Sequence, residues 1–238
     1  MSTINLLYKR QYSINENINI VIPTVGEILD DEDGYYGIVS SLTAMPIDLM
    51  CELDDVGIDY TEISEYELFL YYMFPSLKGT DTHLVFGELD LSNFELAQNT
   101  ESGNIILYDE KNDIVIDRTV QGQIAATLRR IHHLEKNRRK PANKEAKEYM
   151  LERARTKRKR KKKKSNFSQL ESLIISMVNT EQFKYDYDGV LNLSIYQFNE
   201  SVRQIIKKVD YEHRMHGVYS GTIDPKGLSQ KELNWLNN

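Results

Sequence analysis

The residue types from which chemistry could start are few: five histidines, one cysteine and several knots of carboxylates in 238 residues. Cys51 falls in a helical pattern among apolar and acidic neighbours, where a thiolate is disfavoured, so it reads as a buried structural thiol. His213 and His216 in "EHRMHG" are spaced to share one helix face beside Glu212, but no further histidine or cysteine completes a zinc set. His132 and His133 are adjacent on a helix, about 100° apart, and are poorly placed to share an ion. All four histidines read as helix-surface or capping residues. "LDDEDG" and "KYDYDG" fail the EF-hand pattern, with Leu29 or Lys184 at the first ligand position and Ser40 or Ile195 at the last. Their acids read as helix-end and turn residues. No Gly-rich phosphate loop, dinucleotide fingerprint or nucleophile elbow is present. The sequence therefore gives an enzymatic reading no support, and no cofactor or metal is expected.

What remains is charge. The stretch "RTKRKRKKKK", Arg155 to Lys164, has nine Lys or Arg in ten positions, inside a chain of net charge -6. Residues 1–127 hold 5 basic against 23 acidic residues, and residues 128–238 hold 25 against 13. From Arg129 to Lys164 there are 18 basic and 4 acidic residues. A segment like this binds phosphates nonspecifically through counterion release. Sequence-specific readout needs a recognition fold or interleaved aromatics, and 153–164 has no aromatic. Three readings stay open: nucleic-acid binding, contact with an acidic surface of this or another chain, and a solvated linker.

The elements that must carry these residues follow from periodicity and caps. Asn5–Ile22 reads as a β-hairpin about "NEN". Thr24 with Glu27, and Ser64 with Glu67, form capping boxes for helices; Pro75 is expected to stop the second of these. "YYGIVSSLTA" reads as a short helix, and Pro46 opens another that Gly57 ends. "HLVFGELDLSNFELAQ" is ambiguous, whereas 104–117 is a clear hairpin around "DEKND". Ile124, Leu128, Ile131 and Leu134 make one helical stripe running into "EKNRRK". Asn143 caps a helix whose bulky apolar residues are Tyr149, Met150 and Leu151, too few to hold so charged a helix against a core, so its far end is expected to project and fray. Ser168 and Glu171, Ser194, and Ser229 with Glu232 start the last helices, with Gly217 ending the long one.

The expected fold is α+β and mostly helical: an acidic domain with two small β-hairpins (1–118), a basic helical arm or linker (119–165) and a small helical C-terminal domain (166–238). The single cysteine fits a reducing compartment, and neither a signal peptide nor a membrane-spanning run is apparent. Contact with a partner is expected of Arg155, Lys157, Arg158, Lys159 and Arg160 on the arm. Tyr35, Tyr36, Tyr71 and Tyr72 are candidate binding aromatics, with core packing the alternative at helical spacing. Trp235 is expected to dock the end of the chain.

"IVIPTVGEILD", "GIDYTEISEYELFL", "FKYDYDGVLNLSIYQFNESVRQI" and "MHGVYSGTID" together resemble segments of tail-region proteins from tailed bacteriophages and prophages of Gram-positive hosts, of the tail-assembly-chaperone type. That resemblance implies a non-enzymatic protein of the host cytoplasm or the virion that binds the tape-measure or tail-tube protein. It also implies that Lys161–Lys164 could mark a frameshift junction. A virion or packaging-associated nucleic-acid binder, acting through 129–164, is the alternative. Oligomeric state is not legible.

Overall fold

The computed structural model describes residues 5–100, 102–160, 168–229 and 232–236. It is 56% helical with two small antiparallel sheets, a mostly helical α+β fold. Strands β1 (Gln11–Ser13) and β2 (Asn19–Val21) form the first hairpin, with Tyr12 opposite Ile20. Asn15 turns it by accepting hydrogen bonds from the Asn17 and Ile18 amides.

Helix α1 (Val25–Asp30) starts at Thr24 through the expected reciprocal box with Glu27. Asp31 closes α1 and caps α2 (Glu32–Thr43), accepting from the Gly34 amide. An acid of "LDDEDG", read from sequence as a helix-end residue, is thus a helix cap, worth about 1 kcal/mol. Helix α2 starts three residues before the apolar run suggests, because the Asp31 cap rather than the apolar stripe sets its beginning. A 3₁₀ turn, Pro46–Leu49, leads into α3 (Met50–Asp55), and Gly57 follows it with φ +78 as the left-handed residue that a helix end favours.

Pro75 does not stop the next helix. Helix α4 (Glu65–Leu68) passes into a π turn (Phe69–Met73) and continues as α5 (Phe74–Leu77). The Phe74 amide bonds the Phe69 carbonyl five residues back, so the wider turn takes up the interruption that proline's ring and missing N–H impose. The ambiguous segment supplies α6 (His83–Phe86) and a third strand, β3 (Glu95–Gln98). That strand pairs with β4 (Ile105–Asp109), which pairs with β5 (Ile114–Ile116). The expected second hairpin is therefore part of a three-stranded sheet. Tyr66 on α4 anchors it, its hydroxyl sharing a hydrogen bond between the carbonyls of Ile105 (3.1 Å) and Ile116 (3.0 Å).

Asp117 caps α7 (Arg118–His132), whose Ile124, Ala125, Leu128 and Ile131 enter the core. The helix ends earlier than its apolar stripe implies: His133 is left-handed (φ 53) and Leu134 is exposed. Asn143 caps α8 (Lys144–Arg160), accepting from the Ala146 amide at 2.8 Å. Helices α9 (Gln169–Val178), α10 (Tyr187–Asn192) and α11 (Ile195–Tyr219) follow, capped by Ser168, Asp186 and Ser194.

One hydrophobic cluster runs from Leu6 through α1, α2, α7 and the three-stranded sheet to Met177, Phe183, Val190 and Phe198. Two segments far apart in the sequence meet backbone to backbone, with Val25 donating to Leu193 (2.9 Å) and Ile195 to Pro23 (2.8 Å). A second, smaller cluster holds Ile47, Leu53, Tyr60, Leu68 and Leu151.

Only Ile195 and Phe198 of the 25-residue α11 are buried, and the helix runs on beyond the core. Gly217 does not end it; Ser220 does. A Cβ on Gly217 would lie 2.6 Å from Ile223 Cδ1, and its carbonyl accepts from both the Thr222 and Ile223 amides. Its small size lets the chain fold back, which is a close-approach role rather than a stop signal. Ser229 and Glu232 make the expected reciprocal bonds, but 232–236 forms turns instead of a helix. Among the described residues, no helix is long and apolar enough to cross a membrane.

Candidate functional site

The charge asymmetry meets itself where α8 crosses α3. Leu151, 9% exposed, and the half-buried Met150 reach the smaller apolar cluster, while Tyr149 points to solvent. That is little apolar burial for a 17-residue helix with so many cations, and ion pairs supply the rest. Arg155 lies 2.7 Å from both Asp54 and Asp55. Arg158, one turn on, reaches Asp55 at 3.3 Å and Glu52 at 3.5 Å. About two turns before the start of this ladder, Lys147 pairs with Asp59 and lies 5.6 Å from the centre of the Tyr60 ring. The Lys147 bond, with help from Thr61, pulls the Asp59 carboxyl down to about 2. The carboxylate run of α3 and the basic run of α8 are two halves of one intrachain contact.

Beneath this contact sits a more buried hub. Glu65 binds Arg129 at 2.5 Å and also pairs with Lys136, and the side chains of Glu65 and Arg129 are only 17% and 10% exposed. Burial opposes the Glu65 charge, yet hydrogen bonds from Lys136 and Arg129 outweigh it and hold the carboxyl below its usual range. Arg129 additionally donates to the Thr43 carbonyl at 2.6 Å. The Asn137 amide reaches Asp48 at 3.1 Å, so the loop after α7 is strapped to the 45–65 segment.

Between that loop, the N-terminus of α8 and the 45–65 segment opens a cleft of about 550 Å³. Met45, Ile47, Ile63 and Pro141 give it an apolar floor, and Arg138, Arg139, Lys140 and Lys144 stand on its rim. Its two acids, Asp59 and Glu65, are both engaged by cations already described.

The residues singled out from sequence separate into four environments. Arg155 and Arg158 form the clasp. Lys157, Lys159 and Arg160 are exposed and make no ion pair among the described residues. Tyr72 packs beside the smaller cluster and Tyr71 is 49% exposed. Tyr35 (1% exposed) and Tyr36 pack edge-on to each other and against His132, with the Tyr35 hydroxyl 2.9 Å from His132 Nε2. Burial, reinforced by His133, pulls the His132 pKa down to about 4, so the ring is neutral near pH 7, the state in which Nε2 can accept from the Tyr35 hydroxyl. His133 faces the other way, 3.4 Å from Glu200 on α11. The two histidines lie in separate surroundings, as their spacing implies. Lys161–Lys164 lie outside the described residues.

Cys51 is buried; burial first and then Glu52 push its thiol up, with Arg155 and Arg158 opposing. Among the described residues, no group of three or more His, Cys, Asp or Glu side chains is placed to hold a metal ion. Sequence reasoning did not find the Glu65 hub or the cleft. Glu65 is masked by its place inside a capping-box pattern, and the cleft joins residues some eighty positions apart; the run Arg138–Lys140 was its one local signal.

No curated protein and no solved structure matches this sequence. Residues 160–238, from the last residue of α8 to the end of the sequence, match the model of a family described as the YomV second domain, a phage- and prophage-type family, which suggests a phage-derived protein.

Proposed function

We propose that the chain is a non-enzymatic phage assembly protein that binds another structural protein of the particle, of the tape-measure or tail-tube kind, during tail assembly. The observation that carries this reading is the junction of α8 with the acidic body. The basic helix is held by carboxylates of its own chain, which leaves a cleft with an apolar floor and a cationic rim facing outward. Such a surface recognises rather than transforms. The family match at 160–238 supports the phage setting, and the resemblance of the quoted segments supports the tail-assembly role.

The test is co-expression with the tape-measure and tail-tube proteins encoded in the same genome. A complex that elutes together by size exclusion after nuclease treatment is the expected result. Partners that stay equally insoluble with and without the chain would overturn the reading.

The exposed Lys157, Lys159 and Arg160 favour a second one, binding of nucleic acid through the end of the arm. It predicts DNA affinity that falls steeply with salt and is largely lost when the basic run from Lys157 to Lys164 is replaced by serine. Affinity indifferent to both would remove it.

A further inference from the structure

We propose that the cleft between the 45–65 segment and the base of α8 is a docking site for an acidic, amphipathic peptide segment of a protein partner. This inference rests on the reading above that the partner is a protein. Five basic side chains line the cleft against two acidic ones, and both acids are already bonded to cations. Arg138, Arg139, Lys140 and Lys144 are exposed and form no ion pair among the described residues. The N-terminus of α8, capped by Asn143, opens at the same place and adds its positive end to the field. Anionic groups are therefore wanted at the rim.

The floor decides which kind of anion. Met45, Ile63 and Pro141, each partly exposed, offer aliphatic surface, which fits the aliphatic side chains that alternate with carboxylates on an amphipathic segment. The aromatic residue of the lining, Tyr60, is 4% exposed and its ring is already engaged by Lys147, so it offers no free face for a stacked base. A volume near 550 Å³ suits a few side chains of a peptide.

The experiment measures fluorescence anisotropy of a labelled synthetic peptide of glutamate and leucine at helical amphipathic spacing, titrated with the full chain at physiological ionic strength. Saturable binding is expected. It should weaken about 10-fold or more in Arg138→Glu/Arg139→Glu, several-fold in the milder Lys140→Ser/Lys144→Ser, and less than about twofold in Lys157→Ser/Lys159→Ser. These rim residues are exposed, and matching thermal midpoints would confirm that each variant folds. Equal binding by wild type and both rim variants would overturn the proposal. So would equal binding of a lysine–leucine peptide, or displacement of the acidic peptide by oligothymidine. If the peptide binds but the tail proteins do not, the partner has been misread; a complex that forms while the peptide fails to bind puts the contact elsewhere.

Discussion

Lowering the pH from about 7 to about 5 acts on this fold through His132. Its ring is packed against Tyr35 and Tyr36 and shares a hydrogen bond with the Tyr35 hydroxyl, with His133 as the adjacent ionisable group. Burial depresses its folded pKa to about 4 from the ordinary 6.5. The unfolded chain thus takes up the proton first, and stability is lost as the pH falls from the unfolded value toward the folded one. Over this window, above the range where the carboxylates titrate, the difference amounts to about 2 kcal/mol. The His133 pKa is also lowered, by burial first, so it adds loss of the same sign. Urea unfolding monitored by circular dichroism at the two pH values measures the effect. The variant His132→Gln keeps an acceptor for Tyr35 but cannot titrate, so its stability should change by about 2 kcal/mol less than the wild type's. Equal pH dependence in the two proteins would refute the assignment of His132 as a ring kept neutral by burial.

Other substitutions probe the interior. Phe198→Ala, which empties a fully buried position at the start of α11, should cost about 3–5 kcal/mol in urea unfolding. Glu65→Gln leaves Arg129 and Lys136 without their shared carboxylate and should cost about 2–3 kcal/mol by the same assay, less at acid pH where the wild-type carboxyl is protonated. Tyr66→Phe removes the hydroxyl that bridges two sheet carbonyls and should cost about 1–2 kcal/mol.

Local signals in the sequence located most of the helices. The boxes at Thr24 and Ser64 and the caps at Asn143, Ser168 and Ser194 are short-range geometry, and each forms where its spacing places it. Strand β3 was not legible, because a four-residue strand is defined by its partner β4 and not by a periodicity of its own. Pro75 and Gly217 mislead for a related reason. A π turn absorbs the proline, and the glycine answers to Ile223 instead of to helix termination. The charge asymmetry announced that two halves of the chain could pair. It could not say that Arg155 and Arg158 would face Asp54 and Asp55 about a hundred positions away, nor that Tyr35 and His132 would meet in the core.

The central claim is that opposite charges within the chain hold the basic helix against its acidic body. A cationic helix of this length is marginal alone in water, so its backbone protection must come from docking. The exposed Arg155 and Arg158 contacts together are worth about 2 kcal/mol, or about a factor of 30 in amide exchange. Hydrogen exchange by mass spectrometry over residues 146–156, at about 0.05 M and about 0.5 M salt, tests it directly. The expected result is protection at low salt that falls by about tenfold or more at high salt, and that is missing at both in Arg155→Glu/Arg158→Glu. Protection indifferent to salt and to the charge reversal, or none in the wild type at low salt, would contradict the account.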